Sequence, residues 1–293
     1  MLKRLPILCA ALLALAACSH DSDTGGSPAA PGPASTAATT PAGDAAPAAS
    51  GTSATPAPAA SVPASTGTTA SAAPAGTPAP PAEPFVDNGK WVEGKNYFRI
   101  EPAQPKATST DKIEVTEVFS YGCPACNQFH PIVAQLAASL PANAVMAYLP
   151  ASFIPQENWP MLQRAYFTAR ALGVADKCND AMYDAVWKSG ELSAMNQAGN
   201  GLKPHDALPT IEDAAKVYAK CGADPKEFVA VANSFSINTQ MKRADDLIKA
   251  YGVTGTPTLI VDGKYRFDVG NAGGYPQTIE LAKWLVAKEA AGK

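Results

Sequence analysis

The sequence predicts an α/β fold, α+β under some schemes, built from a β-α-β unit, a helical block and a β-β-α unit. Three observations predict it. A β-branched run, a helical pattern and a second apolar run follow one another between Lys112 and about Ala151. From Pro155 to about Tyr251 the apolar spacing is helical throughout. A strand-turn-strand pattern and a last amphipathic helix then close the chain.

The first 84 residues stand apart from that order. They contain no Phe, Trp or Tyr, and after Arg4 no Lys or Arg occurs until Lys90. Such a stretch buries too little apolar surface to offset chain entropy, and it is expected to be disordered. That leaves roughly 210 residues, enough for one domain with an insertion or for two small lobes. At its start, "MLKRLPILCAALLALAAC" has a basic beginning, an apolar core and small residues before Cys18, the pattern of a secretory signal. Leu15-Ala16-Ala17-Cys18 is similar to the lipobox of bacterial lipoproteins, so lipidation of Cys18 is expected, with ordinary cleavage nearby as the alternative. Ser19 to Pro84, 66 residues that are mostly Ala, Pro, Thr, Ser and Gly, reads as a tether. A coil of that length averages about 45 Å end to end. The formal net charge of −3 argues against a nucleic-acid partner.

"KIEVTEVFSY", Lys112 to Tyr121, reads as a buried strand. Beyond it, apolar residues at Phe129, Ile132, Val133, Leu136, Ala137 and Leu140 mark one face of a helix, with Pro131 inside it. "NAVMAYLPA" is a second strand. The helical block breaks near Gly173, Gly190, the loop "NQAGNGLKPHDALP" and Gly222. "TPTLIVDGKYRFDVG" reads as a hairpin turning at Asp262-Gly263, and "PQTIELAKWLVAKEA" as the closing helix.

Between the first strand and its helix lies "SYGCPACNQFHP". A cysteine at a helix start faces unpaired N–H groups and the positive end of the helix dipole, which favour thiolate. Cys123 is therefore the expected attacking and leaving sulfur, and Cys126, one turn further in, the resolving one. A zinc half-site is the rival reading, but the three histidines, His20, His130 and His205, do not complete a ligand set at the usual spacing. Of six cysteines, Cys9 leaves with the signal and Cys18 is expected to be lipidated. If Cys123 pairs with Cys126, Cys178 and Cys221 pair by elimination; two free buried thiols are the alternative.

Together, "VTEVFSYGCPACNQFHP", the helical block and "YGVTGTPTLIVDGKYRF" resemble DsbA-type thiol:disulfide oxidoreductases, a thioredoxin fold with an inserted helical domain. "FVDNGKWVEGKNYFRIEP" is similar to that family's N-terminal entry strand. The resemblance implies that Cys123 and Cys126 are the redox pair and that Pro257, after Thr256, is a cis-proline. It implies that the Thr256 backbone pairs with an extended substrate, and that Glu117 is a buried acid beneath the site. Alternation places Glu117 on the strand face of Ile113, Val115 and Phe119, where a raised pKa and proton handling follow from burial; a surface glutamate on an edge strand is the alternative.

The dipeptide Pro124-Ala125 departs from the best-known members, which carry histidine in place of Ala125. Alanine offers Cys123 neither charge nor a side-chain hydrogen bond, so a weaker oxidant is expected. The implied activity is disulfide introduction into reduced, unfolded secreted proteins, with no cofactor and no metal beyond the redox-active disulfide. A quinone-linked membrane oxidase of DsbB type would recycle it. The alternatives are a periplasmic reductase or isomerase, or a non-catalytic binding module. The expected setting is the periplasm, as a lipid-anchored monomer on either membrane. The expected partition is a signal peptide at 1–17, Cys18 and the tether at 18–84, a first thioredoxin-like part at 85–151, a helical insertion at 152–239 and a second thioredoxin-like part at 240–293. Phe153, Trp159 and Met161 are candidates for a groove rim, although core packing is the heavier reading for that stretch.

Overall fold

The computed structural model describes residues 85–293; the expected signal segment, Cys18 and the tether lie outside the described residues. Strand β1 (Phe98–Arg99) is short, and β2 (Ile113–Phe119) is the long strand that leads to the CPAC sequence. Helix α1 (Pro124–Ser139) returns the chain to β3 (Ala144–Pro150), which pairs parallel to β2. After the helical block come β4 (Thr258–Val261) and β5 (Tyr265–Asp268). The sheet order is β1-β5-β4-β2-β3, and every pairing except β2–β3 is antiparallel. With neighbours on both sides and all residues but Ile113 buried, β2 has the apolar, β-branched composition of an interior strand.

The β4–β5 turn shows why Asp262-Gly263 works. Both residues have positive φ, 53° and 68°, and the Lys264 N–H donates to the Val261 carbonyl at 2.9 Å. This two-residue geometry matches strand twist. A Cβ at Gly263 would lie 2.0 Å from the Gln104 carbonyl oxygen, so no other residue fits without moving that chain.

The two sheet faces carry two cores. On one, α1 and the last helix pack Phe129, Val133, Leu136, Leu281 and Leu285 against Val115, Leu259 and Val261. The other face meets the helical block: α2 (Trp159–Ala171), α3 (Ala175–Trp187), α4 (Ile211–Ala219), α5 (Pro225–Ala232) and α6 (Phe235–Ala250). Asp224 and Ser234 cap α5 and α6 by accepting from backbone N–H groups three residues on. Cys178, in α3, is bonded to Cys221, just past α4. Helix α7 (Val269–Ala272) is a single turn closed by a capping box between Asp268 and Asn271, and α8 (Tyr275–Ala290) ends the fold.

Two sequence expectations differ from these elements. A boundary between 239 and 240 falls inside α6, which runs unbroken to Ala250. Nothing at Thr239-Gln240 interrupts the helical spacing, and Ala244, Leu247 and Ile248 bury in the same core as α2 to α5. The chain leaves that helix at Tyr251-Gly252, where Gly252 takes φ 67°. At the N-terminal end, only Phe98 and Arg99 of the expected entry strand pair with the sheet. Trp91 and Tyr97 instead reach into the core, with the Tyr97 ring edge-on to Tyr265.

Candidate active site

The site is assembled where β2 gives way to α1. Ser120 makes the bend: its carbonyl accepts from the Cys123 N–H at 3.1 Å and its hydroxyl accepts from the Gly122 N–H at 3.1 Å. Gly122 rests on the indole of Trp159, where a Cβ would come within 2.7 Å of Nε1. Glycine is required there by contact, not by backbone angle. Cys123 then takes the N-cap position of α1, in extended backbone, and its Sγ accepts from the Cys126 N–H at 3.4 Å. Pro124 at the first helical position gives up no hydrogen bond that the helix needs.

Both sulfurs are thiols in this structure. Cys123 is 5 % exposed and Cys126 is fully buried. The Cys126 side chain, the Thr256 side chain and the N–H groups of Cys126 and Ala125 outweigh burial and bring the Cys123 thiol down to about 6. Cys126 moves the opposite way: burial first, then the adjacent Cys123 sulfur and Glu117, push its thiol far above the ordinary range. One sulfur is therefore a stable anion near neutral pH and the other keeps its proton.

Thr256-Pro257, in the loop before β4, is joined by a cis peptide bond. It lies against the redox pair, with the Cys123 thiol 3.4 Å from the Thr256 carbonyl. The Thr256 hydroxyl is buried beside the Cys123 sulfur, whose anion it favours. Glu117 sits on β2 between Leu259 of β4 and Tyr148 of β3, so it is not on an edge strand. It is buried, and one of its carboxyl oxygens has no hydrogen-bond partner. Burial, with a smaller push from Cys123, raises its pKa to about 8. Pro124 and Ala125, which follow Cys123 in the chain, are exposed. Cys178 and Cys221 stand apart from this cluster, as the bond between α3 and the end of α4.

Two open grooves are lined in part by residues close to Cys123 in the chain. One, of about 400 Å³, lies along the Thr256-Pro257 loop and is bordered by Ala125, Arg266 and Tyr275. The other, of about 900 Å³, begins at Gly122 and Pro124 and runs along the end of α3 and the loop after it. Phe153, Trp159 and Met161 do not line either groove. Trp159 is buried under Gly122 with its ring 6.3 Å from that of Phe153, so its bulk serves packing. Sequence reasoning missed Trp187, whose Nε1–H donates to the Tyr121 carbonyl at 2.8 Å. It also missed Asn179, which accepts from the Tyr121 hydroxyl at 2.9 Å. No local pattern marks either residue, since both act across 58 or more positions of sequence.

The chain is similar to known proteins over most of its described length. The DSBA-like thioredoxin domain matches residues 114–274. The thiol:disulfide interchange protein DsbA of Pseudomonas aeruginosa is 36% identical over 201 residues, covering 69% of this chain and 87% of its own. That of Azotobacter vinelandii is 34% identical over 200 residues, with 68% and 85% coverage. The crystal structure of Pseudomonas aeruginosa DsbA superposes with a TM-score of 0.59 at 35% identity, covering 70% of this chain and 97% of that one.

Proposed function

We infer the details of the chemistry from one premise: the chain belongs to the DsbA-like thioredoxin family and is a disulfide-introducing thiol:disulfide oxidoreductase that needs no cofactor beyond a redox-active disulfide. The reactive pair is Cys123–Cys126. A substrate thiolate attacks Cys123 Sγ of the oxidised pair, the Cys123–Cys126 bond breaks, and Cys126 departs with the electron pair. Glu117, protonated at neutral pH, supplies the proton that Cys126 requires in its buried position. A second substrate thiolate then attacks the substrate sulfur of the mixed disulfide. Cys123 leaves as the thiolate its surroundings favour, and the substrate has lost two electrons to the pair. The Thr256 backbone holds the extended substrate beside Pro257 during both steps.

The observation that carries this reading is the opposite displacement of the two thiols on one helix turn, with the cis Thr256-Pro257 loop against the lower one. With alanine at position 125, a thiolate near 6 supports a weaker oxidant than relatives with histidine there. DsbA itself has a thiolate pKa of about 3.5 and thioredoxin one of about 7. The reading extends to a periplasmic, monomeric enzyme, anchored through Cys18, that is reoxidised by a quinone-linked membrane protein of DsbB type and acts on reduced secreted proteins. Among the described residues no helix is long and apolar enough to cross a membrane.

The test is refolding of a reduced, two-cysteine protein under catalytic amounts of the oxidised enzyme, with its potential read in glutathione buffers. Cys123→Ser is expected to abolish catalysis. Cys126→Ser, mixed with the disulfide-bonded form of that protein, is expected to trap a mixed disulfide, because the Cys123 thiolate opens the substrate bond and nothing resolves the product. A potential near that of thioredoxin, about −270 mV, would overturn the oxidase direction in favour of a reductase.

A further inference from the structure

The larger groove beside the redox pair has a floor that the exchange chemistry does not use. Its apolar surface comes from Trp187, Met195 and Leu202, which are 38, 37 and 42 % exposed. A single exposed apolar side chain needs no explanation. Three that converge on one groove next to a reactive sulfur do.

These side chains are held in place. Trp187 ends α3 and is fixed by the bond from its indole N–H to the Tyr121 carbonyl, two residues before Cys123. Met195 and Leu202 are partners in an antiparallel bridge, which puts both on the same face of a small hairpin. That hairpin is closed by its own hydrogen bonds: Lys203 N–H donates to the Ala194 carbonyl at 2.8 Å, Lys203 Nζ to the Ser193 carbonyl at 2.7 Å, and Asn196 N–H to the Gly201 carbonyl at 2.8 Å. Buried Leu192 roots it in the core, its N–H donating to the Ala185 carbonyl. A platform already ordered loses little entropy when something binds to it.

The charges on the rim are largely engaged with neighbours. Lys188 pairs with Asp184 at 2.6 Å, and Glu191 with Lys220 at 3.0 Å. Glu157 accepts from the Trp159 indole at 3.1 Å. Apolar surface is the larger share of what the groove offers a visitor, beside polar side chains such as Ser189, Asn196 and Gln197. The wall of the groove starts at Gly122 and Pro124, the two neighbours of Cys123 in the chain. A substrate bonded to Cys123 Sγ extends at most about 3.6 Å per residue, so side chains two or three positions from its cysteine arrive within roughly 10 Å.

Resting on the assignment of Cys123 as the exchanging sulfur, we propose that this groove is a substrate subsite that takes a large apolar side chain close to the reacting cysteine. The enzyme then selects thiols by their sequence surroundings: cysteines flanked by Leu, Phe or Met, as in unfolded chains whose core residues are exposed, are oxidised ahead of cysteines in polar segments. This subsite is separate from the smaller groove along Thr256-Pro257, which is bordered by Arg266 and Tyr275.

Three uncharged two-cysteine peptides of equal length test it. One carries only Ser around the reactive cysteine, one carries Leu and Phe on the N-terminal side, and one carries them on the C-terminal side. The full oxidised enzyme is expected to oxidise one of the apolar peptides about tenfold faster than the Ser peptide at subsaturating concentration. The double variant Met195→Ser/Leu202→Ser, changed at exposed positions away from the sulfurs, is expected to reduce that preference to about twofold, with the Ser peptide and glutathione reacting as before. Equal rates on all three peptides, or a preference that survives the double variant, would overturn the subsite. Reaction with glutathione but with no peptide would overturn it as well. Reaction with neither glutathione nor peptides would instead overturn the oxidoreductase reading on which it rests.

Discussion

Glu117 shows how one residue sets the working pH of the site. It is a carboxyl placed under a thiol that resists ionisation, and burial raises it to about 8. Below that value it holds a proton that the departing Cys126 can take; above it, the donor is lost. Cys123 imposes the lower limit on attack by the reduced pair, because its thiolate protonates as pH falls through about 6. Glu117→Gln is therefore expected to slow substrate oxidation at pH 7 by about 100-fold. The pH profile should lose its limb near 8, while the thiolate absorbance of Cys123 still titrates near 6. A carboxyl that only packs would leave the limb in place. The stability sign is also fixed. A carboxyl raised from 4.5 to about 8 has its favourable linkage intact below 4.5, and this is lost progressively as pH rises to about 8. The Gln variant should accordingly gain melting temperature relative to the parent above pH 8.

At the scale of elements, α3 matters most beyond the redox helix itself. It carries Asn179, which binds the Tyr121 hydroxyl, Asp180, which meets His130 of α1 at 2.6 Å, and Tyr183, which stacks on the His130 ring at 4.5 Å. Asp180 is largely exposed, so its contact with His130 adds little; the ring stacking holds α3 to α1, and the Tyr121–Asn179 hydrogen bond holds it to the junction between β2 and α1. The Cys178–Cys221 bond pins this helix to the end of α4 and closes a separation of 43 residues. Replacing both cysteines by Ala is expected to cost about 3–4 kcal/mol by loop-closure entropy, a fall of roughly 6–16 °C in melting temperature. Exchange through Cys123 should continue at temperatures where the variant is folded. An unchanged melting temperature would show that the bond adds nothing to stability.

For the whole molecule, the question is where a redox domain with no apolar span among its described residues does its work. The expected answer lies in Cys18 and the 66 residues after it, outside the described residues. A multiply acylated cysteine anchors stably where a single chain does not. Cys18→Ala is expected to move the protein from the membrane fraction to the soluble one with its exchange activity intact. An unmodified N-terminal peptide in mass spectrometry of the parent would refute the anchor.

The sequence by itself determined the order of elements, because apolar periodicity reports which face of each segment is buried. Glu117 and Val115 announce a shared strand face in this way, and Asp262-Gly263 announces its turn through the only conformation that its residues readily share. The placement of a CPAC sequence at a strand-to-helix junction was equally local, and so legible. Periodicity does not say which distant faces meet. The approach of the Thr256 carbonyl to Cys123 across 133 positions, the grip of Trp187 on Tyr121 and the indole under Gly122 all follow from packing between segments remote in sequence. The end of the helical block shows the same limit: α6 spans 239/240 because its inner face belongs to one continuous core, and only the folded chain shows where that core stops.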